Sequence, residues 1–148
     1  MSVTVSITRT QVVSEVAKTT AYEGAHSGAF DNVYAKSEDK EMLDRYWIEA
    51  CTMATEVMKE FITSMTAPSP ATPNSDYTVT LTMPANFDTN MQNAITNAAY
   101  QHFCNYIVGK WLAMIGIEKA SAYLASSSND LAELKNKIYY RIKPTRPS

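Results

Sequence analysis

Only four glycines occur in 148 residues, a scarcity that argues against a loop-rich or all-β fold and for long regular elements. Cysteine is scarcer still. Cys51 and Cys104 each fall on the apolar stripe of a predicted helix and read as buried free thiols of a reducing compartment rather than as a disulfide. Charge is modest, with 19% charged residues, a net charge of −2 and a pI near 5.7, so the whole domain is not a typical nucleic-acid binder. Neither is it disordered by composition, since 45% of its residues are hydrophobic. No long apolar run is present. The longest, Ile107 to Ile117, is interrupted by Gly109, Lys110 and Gly116 and is too short to span a membrane. The N-terminus has no basic region followed by an apolar run, so no signal peptide is expected.

The motifs of common chemistries are missing as well. There is no Cys-x-x-Cys, His-Glu-x-x-His or His-x-x-x-His spacing for zinc, no Gly-rich phosphate loop and no Gly-x-Ser-x-Gly elbow. His102 and Cys104, two apart on one predicted helix, point in different directions and cannot pair. His102 therefore reads as a satisfied interior or interface histidine, and no metal, cofactor or catalytic site is expected.

What is present is helical periodicity. Leu43, Tyr46, Trp47, Ala50, Cys51, Ala54, Val57, Met58, Phe61, Ile62 and Met65 recur at amphipathic spacing without a Gly or Pro between them. Ser37 suits the N-cap, and Glu38, Asp39 and Glu41 complement the positive end of the helix dipole. A long helix over 37–65 follows, and everything else is expected to pack on its stripe. Before it, Val3, Val5 and Ile7 alternate with Ser and Thr as a half-buried strand over 1–8. Thr8 or Thr10 then caps a helix over 9–22, and residues 24–36 read as a loop.

After the long helix, Pro68, Pro70 and Pro73 make 66–76 an extended connector. Tyr77, Val79, Leu81 and Met83 alternate with threonines as a second strand over 76–83, expected to pair with the first. A second long helix spans 87–115, capped by Asn86 or Asp88. Helices over 117–142 come next, broken by Ser126-Ser127-Ser128, and 143–148 form an extended basic tail. The fold class is thus mainly α in a single domain over 1–148. It is a helical bundle on two long antiparallel helices with a small two-stranded β element.

Charge is segregated along the chain. Residues 1–66 carry six basic against ten acidic groups, and residues 110–148 carry seven basic against three acidic. Glu38, Asp39, Glu41 and Asp44 form an acidic face, which with Glu49, Glu56 and Glu60 reads as solvated helix surface rather than as acid/base pairs. At the other end Lys135, Lys137, Arg141, Lys143 and Arg146 interleave with Tyr139 and Tyr140. That segment suits docking on an acidic neighbour, with phosphate contact as the alternative. Acidic and basic ends on one domain suit head-to-tail self-association.

The order of elements carries a resemblance. An acidic-capped helix (SEDKEMLDRYWIEACTMATEVMKEFITS) leads through a Pro-rich, strand-bearing connector to a Pro-opened helix (AITNAAYQHFCNYIVGKW), and a last helix ends in KIYYRIKP. Over residues 37–143 this resembles the small head–tail connector proteins of tailed bacteriophages and prophages. The N-terminal strand and helix and the tail after Lys143 depart from it. The resemblance implies a structural virion protein and not an enzyme. Its subunits would form a homo-oligomeric ring, a dodecamer in the implied arrangement, in the phage neck. The ring would be assembled in the bacterial host cytoplasm and bound to portal, tail or other neck proteins, with non-specific DNA contact in the channel, no membrane and no cofactor. The rival expectations are a helical protein-binding or regulatory domain without ring assembly, and a small enzyme using Glu49 or Glu56 with His102.

Overall fold

The structure, a computed structural model, describes residues 2–27, 40–73 and 75–141. It is mainly helical, with four α-helices and a three-stranded antiparallel sheet among those residues. Strand β1 (Ser2–Ile7) buries Val3, Val5 and Ile7 and exposes Ser2, Thr4 and Ser6, as its alternation requires. Strand β3 (Tyr77–Thr82) pairs with it in unbroken register, setting Val3 opposite Leu81, Val5 opposite Val79 and Ile7 opposite Tyr77. The expected pairing of these two strands is thus present.

The third strand, β2 (Ile62–Thr66), lies on the other side of β3, giving the order β1-β3-β2. The sequence places Ile62 to Met65 in the last turn of the long helix and Thr66 in the connector. Instead that helix, α2 (Lys40–Met58), stops at a turn in which Phe61 N–H donates to Met58 O at 3.0 Å. A helix continuing to Met65 would lay its stripe where no core exists: in the fold Ile62 is half-buried, residues 63–66 are exposed, and Met65 is 49% exposed. Backbone pairing with β3, favoured by β-branched Ile62, Thr63 and Thr66, satisfies those peptide groups instead. The proposed cap at Ser37 lies outside the described residues.

Helix α1 (Arg9–Ser27) runs five residues beyond its expected end, so residues 24–27 are helical rather than loop. Gly24 lowers helix stability by about 1 kcal/mol relative to Ala but forbids nothing. The helix buries Val12, Val16 and Thr20 on one stripe, and the Thr20 hydroxyl is satisfied by Val16 O at 2.8 Å.

Helix α3 (Gln92–Met114) begins later than the sequence suggested. Phe87 is buried in a turn, its N–H donating to Pro84 O, and a 3-10 turn over Thr89–Met91 precedes the helix. Asp88 caps that turn by accepting from Asn90 N–H at 3.0 Å. Of all the elements, α3 is the most central. Ile95, Ala99, Phe103, Ile107, Val108, Trp111 and Leu112 are buried on several faces, and it packs against α1, α2, β1 and the last helix. The chain is therefore organised around this apolar helix rather than around α2.

Helix α4 (Ala120–Tyr139) makes the most extensive helix contact, with α3. Gly116, at φ +78°, turns the chain between them. The Ile117 N–H donates to Leu112 O at 2.9 Å and the Gly116 N–H to Ala113 O at 3.2 Å, the paired bonds of a Schellman motif. The serine run does not break α4. Ser127 faces inward and is bonded there, while Ser126 and Ser128 are exposed at a penalty of a few tenths of a kcal/mol each.

Candidate functional site

The buried polar groups come first, because they decide which side chains remain for function. His102, on α3, is fully buried. Its Nε2 donates to the carbonyl of Ala50 on α2 at 3.1 Å, which leaves Nδ1 as the acceptor for the hydroxyl of Ser127 on α4 at 2.9 Å. One imidazole thus ties three helices together. Burial lowers its pKa, partly offset by the bond to Ala50, so the ring is held neutral. Both nitrogens are used by Ser127 and Ala50, not by Glu49 or Glu56. The Ser127–His102 pair has the atoms of a nucleophile and base but lies inside the core, with Ser127 1% exposed.

Cys51 and Cys104 are both buried and free. Burial pushes the Cys51 thiol far up, and the Cys104 thiol to about 12, opposed there by a hydrogen bond from Tyr100. Thiolate nucleophilicity is suppressed at both. Among the described residues no group of three or more His, Cys, Asp or Glu could hold a metal ion. Nor is any of their helices long and apolar enough to cross a membrane.

The acidic face is only partly a solvated surface. Asp44 is buried and forms an ion pair with Arg9, whose backbone N–H is held in turn by Asp76 Oδ1 at 2.9 Å. The Arg9 Nε atom, buried beside this pair, has no hydrogen-bond partner among the described residues. Glu49 accepts from the Tyr106 hydroxyl at 2.7 Å and lies 3.6 Å from Arg45. Burial and that carboxylate raise the Tyr106 pKa. Glu41 is exposed, as is Glu56, which pairs with Lys59. Glu38 and Asp39 lie outside the described residues.

Above this face runs the connector. Ser69 and Thr72 close a small turn through reciprocal backbone bonds of 3.3 and 2.9 Å. Ser75 O accepts from the indole of Trp47 at 3.0 Å. Pro70 and Pro73 are thereby held against α2, and with Glu41, Asp44, Arg45, Ile48 and Glu49 they line a groove of about 430 Å³. Nothing in the sequence marks this juxtaposition, because the prolines lie more than twenty residues from their partners.

At the basic end the helix-borne residues are already engaged. Lys137 pairs with Glu133 at 2.8 Å, one turn back on α4, lowering the pKa of that carboxyl. The Tyr139 hydroxyl donates to Glu60 at 2.7 Å, and its ring meets Phe61 edge-on at 5.3 Å. Arg141 ends the helix by donating to Ile138 O and Tyr140 O at 2.6 and 2.7 Å, its guanidinium over the rings of Phe61 and Phe87. Lys135 and Tyr140 are exposed. Lys143 and Arg146 lie outside the described residues. The structure therefore gathers Tyr139 and Arg141 around Phe61, where they anchor the C-terminal end of α4, and leaves Lys135 and Tyr140 facing outward. The Glu60 partner of Tyr139 had no local signal, lying 79 residues away.

Compared with known proteins, the chain matches no family model, no curated protein and no solved structure.

Proposed function

We propose that this chain is a structural subunit that associates with copies of itself into a closed ring. We further propose that the ring is the head–tail connector of a tailed bacteriophage or prophage, set between portal and tail around a DNA channel. The observation that carries the reading is the sheet. Its outer strands, β1 and β2, have no strand partner on their outer sides among the described residues, and neither contains a charged residue or a proline. Globular proteins usually blunt such edges with Lys, Pro or a covering element, because an open edge is a template for another strand.

Two different edges on one subunit make a heterologous contact possible, and heterologous contacts form a ring when the rotation between subunits closes. The segregated charge favours the same head-to-tail arrangement. In this reading α2 and α3 are the antiparallel pair on which the subunit is built. Their contacts run in opposite senses, from Tyr46 with Met114 through Glu49 with Tyr106 to Ala50 with His102.

Native mass spectrometry and negative-stain imaging across concentration and salt test the proposal. Closed rings with one dominant subunit number, and binding of those rings to portal-bearing heads, are the expected result. A chain that stays monomeric at every concentration, both alone and with portal-bearing heads, overturns it in favour of a helical protein-binding or regulatory domain.

A further inference from the structure

We propose that the groove between α2 and the proline connector is the receptor for the basic segment after Arg141 of a second copy of this chain. The inference rests on the self-associating reading above and names the contact that reading requires. The groove walls are of two kinds. Glu41 and Glu49 supply carboxylates, while Ile48, Pro70 and Pro73 supply apolar surface. Asp44 is turned to Arg9, and Arg45 is drawn to Glu49, so among the described residues Glu41 is the groove carboxylate without an ion pair.

The segment that follows Arg141 reads Ile-Lys-Pro-Thr-Arg-Pro-Ser. It alternates two cations with two prolines, and it lacks acid to oppose them. Proline-bearing segments lie along apolar grooves at little entropic penalty, and flanking cations fix their register on carboxylates.

Reach decides between the chain's own groove and a neighbour's. Arg141 is fixed over Phe61, just past the C-terminal end of α2. Glu41 lies 17 residues before Met58, about 26 Å away along a helix rising 1.5 Å per residue. An extended chain covers at most about 3.5 Å per residue, so Lys143 travels about 7 Å from Arg141 and Arg146 about 18 Å. Even with its side chain Lys143 stops short of Glu41 in its own subunit, and Arg146 spans the distance only with backbone and side chain fully extended, whereas a neighbouring copy places no such limit. Exchange between subunits is the arrangement that lets Lys143 meet Glu41.

The test uses full-length chain carrying Lys143→Glu and Arg146→Glu, so that its own tail does not compete, and a labelled peptide KPTRPS read by fluorescence anisotropy. Saturable binding is expected, weakened at least tenfold by Glu41→Lys and at least tenfold between 50 and 500 mM salt, as screened charge pairs require. A reversed peptide, EPTEPS, should bind the Glu41→Lys chain better than KPTRPS does. Ile48→Asp, which spoils the apolar surface, should also abolish binding, while circular dichroism confirms that each variant is folded.

Absence of binding, or binding indifferent to Glu41 and Ile48, overturns the inference and leaves the groove to some other occupant. A carbodiimide cross-link between Glu41 and Lys143 found within one chain, rather than between isotopically labelled and unlabelled copies, overturns the exchange between subunits. Rings that persist without peptide binding would sink this contact alone. Peptide binding together with an unsubstituted chain that stays strictly monomeric would overturn the ring reading and, with it, the exchange between subunits.

Discussion

Ser127 Oγ lies 2.9 Å from Nδ1 of His102, in a site where both side chains are buried and the second ring nitrogen is held by Ala50 O. The imidazole therefore has a definite tautomer, with the proton on Nε2. Ser127→Ala should leave Nδ1 buried without a donor and lower stability by about 1–3 kcal/mol. Urea unfolding at pH 7.5 measures it.

The same histidine gives the fold a pH dependence of known sign. Its pKa is lowered in the folded chain, so below the unfolded value of about 6.5 the unfolded chain takes up a proton that the folded chain refuses. Above about 6.5 both states are neutral and the contribution is flat. As pH falls through 6.5, stability should drop by up to about 1.4 kcal/mol per pH unit until the folded pKa is passed. Urea midpoints at pH 7.5, 6.5 and 5.5 would show it, and His102→Gln should flatten that part of the profile.

Gly109 of α3 lies close against Leu124 of α4. A Cβ placed there would sit 2.7 Å from Leu124 Cγ and 3.1 Å from Leu124 N, so both a side chain and a backbone stand in the way. Gly109→Ala should destabilise by about 1–3 kcal/mol, the usual range for overpacking. Leu124→Ala in the same chain should recover only part of that loss, since the backbone contact persists. Thermal unfolding of the single and double variants tests this coupling.

Gly116 presents the opposite case. A Cβ there meets nothing within 4 Å, yet the backbone is left-handed. Gly116→Ala should therefore lose about 1–2 kcal/mol through conformation alone. Gly116→Asn should lose less, because Asn tolerates that region. Equality of the two variants in urea unfolding would contradict the assignment.

Asp44 and Arg9 form a mostly buried pair, with side chains 12% and 14% exposed. Removing one partner strands the other, so Asp44→Ala should destabilise by about 3 kcal/mol. The double change Arg9→Met, Asp44→Leu should recover most of it, because an apolar pair has no charge to desolvate. A double-mutant cycle in denaturant decides.

Much of the fold is legible in the chain itself. The alternation of Val3, Val5 and Ile7 and of Tyr77, Val79 and Leu81 marks two strands, and their equal length invites pairing. The stripes of α2, α3 and α4 identify most of the core, including buried Trp47, Phe103 and Leu134. Buried, unpaired Cys51 and Cys104 also agree with their place on those stripes. Sequence does not separate helix from strand over Ile62 to Met65, because Phe61, Ile62 and Met65 fit helical spacing and strand chemistry equally well. The serine run reads as a break because exposed serines and a bonded buried serine look alike in one dimension. Of the charged faces, the residue types were readable but their engagement was not: Asp44 looked like solvated surface until Arg9, 35 residues earlier, closed over it.

Periodicity and residue type are local properties, so the sequence by itself determined the helical class, the β1–β3 pairing and the identity of the buried stripe. The tertiary structure alone decided where α2 stops, that a third strand forms, that α3 is the centre, and which carboxylates remain open. Each of those outcomes turns on a partner far along the chain: β3 for Ile62 to Thr66, Ser127 for His102, Asp76 for Arg9, Pro70 and Pro73 for the groove. A hydrogen bond or a buried charge takes its free energy from the group it meets in space, and sequence spacing does not name that group.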